Sequence, residues 1–359
     1  MSTDTVISID GMGGDGGPQP LVAGMNRAAK LDPSLRFVVH GHSDLLSKLV
    51  QRRRRLRDRV EIVHADDVVP MDEKPSKVLR TGRKSSLWSA LTSVADGRAN
   101  VAMSAGNTGA IVALSMAVLR RAQGVHRPAI AVHWPARREC GFNVVLDMGA
   151  DIKADGETLT QYAIMGAEYS RLAFGHTRPR VGLLNVGSEE MKGRQELHDA
   201  KAIIDHLASN HDLEFEFLGY VEGNDIVSDR VDVIVTDGFT GNIAMKAAEG
   251  TAGFIRQSLK EAFSHSVWSR FGALFALTSL RRLRHRIDPR RVNGGVFLGV
   301  NGSVVKSHGS ADPVGHSSAI LLAAKMATGD FPKLVTGRLA KLDVRQISLG
   351  QETTGGNEI

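Results

Sequence analysis

Short apolar runs alternate with longer amphipathic stretches along nearly the whole chain. The runs Val6 to Ile9, Phe37 to Val39, Val60 to Val63, Val101 to Met103 and Ala129 to His133 read as strands. So do Phe142 to Leu146, Val181 to Leu184, Val233 to Val235 and Val304–Val305. Between them lie helical stretches, one starting near Pro18 and one ending about Arg120. Strands alternating with helices predict an α/β fold with a mostly parallel sheet flanked by helices on both faces.

One stretch breaks this rhythm. Residues 242–290 read as a projecting helical hairpin, two helices with a break around Ser264 to Ser269. Phe263, Val267, Phe271 and Leu274 recur at three- and four-residue spacing, and Trp268, Phe275 and Leu277 widen the stripe. Arg281, Arg282, Arg284, Arg286, Arg290 and Arg291 follow at once. An apolar stripe beside a basic cluster suits docking on an anionic membrane surface, with Trp268, Phe271, Leu274 and Phe275 as the contact candidates. A dimer interface or ordinary core fits the same stripe, and both readings hold if the helices pair and only the tip meets lipid. The hairpin belongs to one domain, residues 1–345. The polar, glycine-containing tail 346–359 is expected to be disordered.

Composition narrows the classes. The chain has 359 residues, 42% hydrophobic and 23% charged, which is ordinary for a soluble domain with a substantial core. A net charge of +6 leaves nucleic acid, membrane or an acidic protein as partners. Aromatics at 5% supply few stacking platforms, so no nucleic-acid partner is expected. The Arg52 to Arg57 segment reads as a solvated basic face. Cys140 is the single cysteine, which excludes an intrachain disulfide and a cysteine zinc site, and it has no histidine nearby to activate it as a nucleophile. No His/Asp cluster has metal-ligand spacing, and no metal or cofactor is expected. The start lacks a basic-then-apolar secretory layout, and no window approaches the roughly 20 apolar residues of a membrane span. A cytoplasmic protein, peripheral at the inner face of the membrane, is the expectation.

Chemistry gathers where strands enter glycine turns. Such turns followed by helices offer unpaired backbone N–H groups and partial positive charge, which favour anions. Gly11, Gly13 and Gly16 formally match a dinucleotide fingerprint. Asp15 inside that turn would repel a pyrophosphate, and the second strand ends in Val38-Val39-His40-Gly41 without the ribose-binding acid.

The ordered set of junctions resembles the PlsX-type phosphate acyltransferases of phospholipid synthesis. The motifs run Ile9-Asp10-Gly11-Met12-Gly13-Gly14-Asp15, Pro75-Ser76, Arg83-Lys84-Ser85-Ser86, Ser104-Ala105-Gly106-Asn107-Thr108-Gly109-Ala110 and Arg127-Pro128-Ala129. They continue through Leu146-Asp147-Met148-Gly149-Ala150, Val181 to Gly187, Thr236-Asp237-Gly238-Phe239-Thr240-Gly241-Asn242 and Lys306-Ser307-His308-Gly309-Ser310. Gly11 stands where the family usually has Ala, Gly16-Gly17 where it has His-Ala, and Arg194-Gln195 where Asn-Glu is common.

The resemblance implies a three-layer α/β/α sandwich similar to phosphotransacetylases and isocitrate dehydrogenases, working as a homodimer. It implies acyl transfer from an acyl carrier protein thioester to inorganic phosphate, with the product handed to a membrane glycerol-phosphate acyltransferase. Phosphate is already an anionic nucleophile, so the protein must position it and stabilise the oxyanion that forms. By resemblance, Lys192 and Asn242 match the family's active-site lysine and asparagine. His308 is either a proton donor to the leaving thiolate or structural. Asp10, Gly13, Gly14, Ser104, Gly106, Asn185, Gly187, Asp237, Gly238, Lys306, Ser307 and Ser310 are the further phosphate- and substrate-binding candidates, with Asp10 and Asp237 orienting cationic groups. Asn107, Thr108 and Gly109 either donate to the anion or cap their helix. Coenzyme A as the acyl donor, and a basic nucleic-acid-binding module, are the rival readings.

Overall fold

The computed structural model describes residues 5–210, 213–286 and 294–342. Eleven strands form one sheet in these residues: β1 (Thr5–Asp10), β2 (Leu35–Gly41), β3 (Val60–His64), β4 (Val101–Ser104), β5 (Ala129–Pro135), β6 (Phe142–Leu146), β7 (Arg180–Leu184), β8 (Glu216–Val221), β9 (Val233–Val235), β10 (Gly295–Leu298) and β11 (Ser303–Lys306). The order across the sheet is β3-β2-β1-β4-β11-β10-β5-β6-β9-β7-β8. The tail 346–359 lies outside the described residues, as do the last residues assigned to the hairpin.

Alternation along the strands sorts the core into two layers. Ile7, Val39, Met103, Leu146, Val235 and Val305 face one cluster, and Ala102, Ile130, Val145, Ile234 and Val304 face the other. The first is covered by α1 (Pro18–Leu31), α2 (Ser43–Gln51), α6 (Gly156–Phe174), α7 (Gln195–Asn210), α10 (Pro313–Ala327) and α11 (Phe331–Leu342). The second is covered by α3 (Pro75–Thr81), α4 (Ser86–Ala95), α5 (Thr108–Val118) and the first turns of α8 (Gly238–Ser264). Glycine sets the closeness of the first layer: a Cβ on Gly24 of α1 would stand 2.6 Å from the His316 Cβ of α10.

The sheet is not uniformly parallel, and this decides where the junctions go. β10 is antiparallel to β11 and β5, and β5 to β6, while the other pairings are parallel. β1 to β5 and β11 therefore run one way, and β6 to β10 run the other. The carboxyl ends of β1, β4 and β11 leave one edge of the sheet. Those of β6, β7 and β9 leave the opposite edge.

The hairpin is present. α8 runs to Ser264, His265–Ser266 make the break, and α9 (Val267–Arg286) returns. Ser266 caps α9 by accepting from the Ser269 N–H at 3.1 Å. α8 begins at Gly238, before the predicted Asn242, because Asp237 caps it. Its buried residues are Gly238 and Gly241 alone, so beyond its first turns it stands off the body.

Candidate active site

At the first edge, Asp10 ends β1 with its carboxylate buried. Oδ1 accepts from Ser86 Oγ at 2.6 Å and from the Met12 N–H at 3.3 Å, and Oδ2 accepts from Ser104 Oγ at 2.7 Å. Ser104 Oγ in turn accepts from the Gly106 N–H at 3.0 Å. Asp10 thus orients hydroxyls rather than a cation. The loops close on it: a Cβ at Gly13 would lie 2.6 Å from Asp10 Oδ2, and Gly14 has φ 99°. The Asp15 N–H donates to the Gly309 carbonyl at 2.9 Å, and the Ser307 N–H to that of Ser104 at 2.8 Å. Asp10, Gly13, Gly14, Ser104, Gly106 and the turn after β11 are one assembly.

Several members are fully engaged by the protein. Asn107 caps α5, its Oδ1 accepting from the Ala110 N–H at 2.9 Å, and its amide donates to the carbonyls of Met71 at 2.6 Å and Glu73 at 3.3 Å. Thr108 opens α5 half-buried, and Gly109 gives room to Pro75, whose Cγ would lie 2.7 Å from a Cβ there. Ser307 is buried, with Oγ 3.2 Å from His316 Nδ1. The exposed His308 accepts at Nδ1 from the Ser310 N–H at 3.2 Å and lies 3.0 Å from Ser310 Oγ. Burial first, then Lys306, lowers its imidazole pKa. Lys306 is half-buried, and burial followed by repulsion from Lys246 pulls its ammonium down to about 8.

At the second edge the centre is Asp147, just past β6. Its carboxylate accepts from the N–H groups of Ile130 (2.8 Å), Gly149 (3.1 Å), Ala150 (3.0 Å) and Asp151 (2.7 Å). Burial pushes it up to about 6, against those hydrogen bonds. α8 sits on this turn because Gly238 and Gly241 carry no side chain. A Cβ at Gly241 would run into the Asp147 carbonyl, and the Gly238 N–H donates to the Asp151 carbonyl at 2.8 Å. Asn242, one residue on, is exposed and holds its amide over Gly149, where a Cβ would be 3.1 Å from Nδ2. No described group hydrogen-bonds that amide.

The β7–α7 loop joins the same edge. Asn185 accepts from the Val186 N–H at 2.8 Å and donates to the Lys192 carbonyl at 2.8 Å, so it shapes the loop. Gly187 lets the Lys192 stem pass, with Cδ 2.6 Å from where a Cβ would be. The Lys192 ammonium is exposed, 2.7 Å from Glu189, whose hydrogen bond raises its pKa. Arg194 pairs with the buried Asp237, which also accepts from the Thr240 N–H at 2.8 Å. Burial alone would raise Asp237, but the Thr240 and Arg194 hydrogen bonds hold it below the usual carboxylate range. Asp237 orients a cation, and Arg194 ties the loop bearing Lys192 to the helix bearing Asn242. Lys192 and Asn242 themselves share no hydrogen bond among the described residues.

A cleft of about 540 Å³ opens at this edge, lined by Gly149, Ile152, Phe239, Asn242, Ile243 and Lys246. Its walls pair exposed apolar side chains with the Asn242 amide, the Lys246 ammonium and the Asp151 carboxylate, the last 3.6 Å from the Arg127 guanidinium, so an acyl group there would lie next to polar groups of both signs. A second hollow, of about 420 Å³, carries Asp66, Asp67 and Glu73 and would repel an anion. No metal-ligating group of three His, Cys, Asp or Glu occurs among the described residues.

The two assemblies lie at opposite edges but on one face. Paired residues share a face, and Ser104, Lys306, Gly295, Val132, Val145 and Ile234 form one row across the sheet. Asp147 comes two residues after Val145. Three strand spacings and two residues separate Lys306 from Asp147, roughly 15 Å. Sequence reasoning missed Asp147, Arg194 and Lys246 as site residues. Asp147 follows the end of a strand, and Lys246 follows Asn242 at i+4, so both carried a readable signal; Arg194 stood out only as a departure from the family pattern, with nothing local to show its partner.

The fatty acid synthesis protein family matches residues 5–334. Phosphate acyltransferases from Jannaschia sp. (strain CCS1) and Dinoroseobacter shibae are 57% and 56% identical over 340 and 338 residues, covering 95% and 94% of this chain and 93% and 87% of theirs. The chain belongs to the PlsX-type phosphate acyltransferases of fatty acid and phospholipid synthesis. Solved phosphotransacetylases share the fold of this family member: EutD from Staphylococcus aureus (TM-score 0.58, 13% identity, 90% of this chain and 94% of that one) and the Streptococcus pyogenes protein (0.58, 16%, 90% and 95%). In this phosphate acyltransferase Arg194 makes the ion pair to Asp237.

Proposed function

We propose that this phosphate acyltransferase moves a fatty acyl group from an acyl carrier protein thioester to inorganic phosphate. The observation that carries the reading is the unengaged Asn242 amide, held over Gly149 at the mouth of an apolar-walled cleft. Ile152, Phe239 and Ile243 receive the start of the acyl chain. Asn242 donates to the thioester oxygen, and the bond strengthens as that oxygen becomes an anion. Lys192 approaches from the loop fixed by Arg194, exchanging Glu189 for the tetrahedral intermediate. A phosphate oxygen bonds to the acyl carbon and the carbon–sulfur bond breaks. The proton of hydrogen phosphate ends on the thiolate, giving acyl phosphate and free carrier thiol. A thiolate of ordinary pKa near 8.5 leaves readily, so no strong acid is required.

The hairpin gives this chemistry a place. Phe254, Trp268 and Phe275 are 73%, 83% and 91% exposed, far more apolar surface than a lone helix pair leaves to water. We infer that α8 and α9 pair with a second copy and present the Trp268 and Phe271 tip to the inner membrane surface, where a glycerol-phosphate acyltransferase takes up the labile product. No helix among the described residues is long and apolar enough to cross a membrane. Donor identity is tested by comparing acyl carrier protein and coenzyme A thioesters of equal chain length. A clear preference for the carrier supports the reading, and equal or better use of coenzyme A replaces it.

A further inference from the structure

Three buried side-chain oxygens have no hydrogen-bond partner among the described residues: Ser115 Oγ, Ser317 Oγ and Asp151 Oδ2. The first two belong to neutral hydroxyls. Asp151 is a carboxylate, and it lines the same cleft as the Asn242 amide. The cation facing it is Arg127, whose Nε stands 3.6 Å from Oδ2, beyond hydrogen-bond length. The Arg127 side chain is 63% exposed against 17% for Asp151, so the guanidinium keeps its water while the carboxylate has lost most of its own. A buried acceptor without a donor is a costly state, and a bound molecule that brings the donor relieves it.

The main chain around this acceptor is fixed. The Asp151 N–H donates to Asp147 Oδ2 at 2.7 Å, and its carbonyl accepts from the Gly238 N–H at 2.8 Å. The carboxylate torsion is soft by comparison, so an oxygen turns toward the cleft with the main chain at rest. Gly149 lies between the two unfilled groups. It is two residues from Asp151, a span of at most about 7 Å, and a Cβ on it would be 3.1 Å from Asn242 Nδ2. An unfilled acceptor and an unfilled amide donor therefore border one cleft, across a glycine that leaves the space between them open.

The reactants differ in what they bring to such an acceptor. Phosphate is an anion and is repelled by a carboxylate. The acyl chain carries no donor at all. The leaving side of the thioester does: carrier-protein and coenzyme A donors both end in a cysteamine unit, whose neutral amide N–H lies two methylene groups from the sulfur. We propose that Asp151 is a specificity-determining residue for acyl transfer, its carboxylate accepting that amide N–H while Asn242 holds the thioester oxygen. The inference rests on the acyl-transfer reading given above and adds to it the part of the donor that the cleft recognises. The bond is charge-assisted and holds the sulfur and the acyl carbon in register with Asn242.

Two soluble octanoyl thioesters test this, one of N-acetylcysteamine and one of 2-acetoxyethanethiol, in which an ester oxygen replaces the N–H. They differ in the donor alone. The full-length wild type is expected to favour the amide by about 10- to 100-fold in kcat/KM for phosphate-dependent acyl phosphate formation. Asp151→Ala, which keeps both main-chain bonds, is expected to bring that ratio close to one. Asp151→Asn retains a neutral acceptor and is expected to fall between, and it decides the matter should the Ala variant not fold. Arg127→Ala is expected to keep the wild-type ratio, because the recognition belongs to the carboxylate. A wild type that uses both thioesters equally overturns the proposal, as does an unchanged ratio in folded Asp151→Ala or Asp151→Asn. A ratio lost equally in Arg127→Ala also overturns it, since the ion pair would then be shaping the loop. Acyl phosphate formed without preference for the amide removes the role of Asp151 and leaves the reaction standing. No acyl phosphate from these or from carrier-protein donors removes the reaction itself.

Discussion

Arg194 of the β7–α7 loop donates to Asp237, the buried cap of α8, and so fastens the segment carrying Lys192 to the helix carrying Asn242. The pairing does two things at once. It neutralises a carboxylate that burial would otherwise destabilise, and it ties the β7–α7 loop to the start of α8. Arg194→Ala is expected to cost about 1–2 kcal/mol of stability, because Asp237 keeps its Thr240 bonds. Asp237 has a depressed pKa, so its contribution is present above the ordinary carboxylate range and is lost as pH falls through the folded value. Urea unfolding should show the gap between wild type and variant narrowing in acid. Activity should fall with both kcat and KM affected, and Arg194→Lys should recover part of it.

Asn242 is exposed and makes no described hydrogen bond, so its removal has little to unbalance in the fold. Asn242→Ala is expected to leave the thermal midpoint within a degree or two and to lower kcat on the order of 100- to 1000-fold. A variant that keeps its kcat would remove the amide from the oxyanion role.

Gly149 has φ 123° and lies under the Asn242 amide. Gly149→Ala meets both a backbone conformation that favours glycine and a contact of 3.1 Å with Nδ2. A loss of about 1–2 kcal/mol in denaturant unfolding is expected, together with a fall in activity beyond what the lost folded fraction explains.

Lys306 titrates near 8 in the folded protein against 10.5 as an ordinary lysine. The unfolded chain binds more protons between those values, so stability without an anion rises with pH across that window. Lys306→Met is expected to flatten this rise and to be more stable than wild type below about pH 8, by about 1–3 kcal/mol. Thermal unfolding across the window, in buffer without phosphate or sulfate, measures it.

Trp268 and Phe271 project at the start of α9 and carry no core. Replacing both with Glu is expected to abolish sedimentation with anionic vesicles while leaving the thermal midpoint of the body unchanged. If α8 and α9 pair with a second copy as proposed, light scattering should report the same dimer for the variant as for wild type, since only the tip has been altered.

Much of this architecture was legible in the sequence, for physical reasons that differ by element. β6 and β9 were read with their bounds intact because they are apolar runs cut off by polar turns. β8 was missed because Glu216 and Gly219, the latter at φ 73°, interrupt its pattern. β10 was missed because it is four residues long and starts at a glycine. That omission mattered. β10 and the β5–β6 hairpin reverse the sheet and send the junctions to opposite edges, which no local pattern encodes. The engagement of Asn107 with residues 71 and 73 was equally hidden, since it depends on a contact across more than thirty residues. Arg194 read as a departure from the family, yet its pairing with Asp237 is what links the two loops.

The most direct test of the proposed reaction incubates the purified protein with long-chain acyl carrier protein and labelled inorganic phosphate, following free carrier thiol and labelled acyl phosphate together. The account predicts that both appear at equal rates, that both require phosphate, and that Lys192→Ala abolishes them in a folded protein. Thiol release without acyl phosphate, or no reaction with carrier or coenzyme A donors, would contradict it.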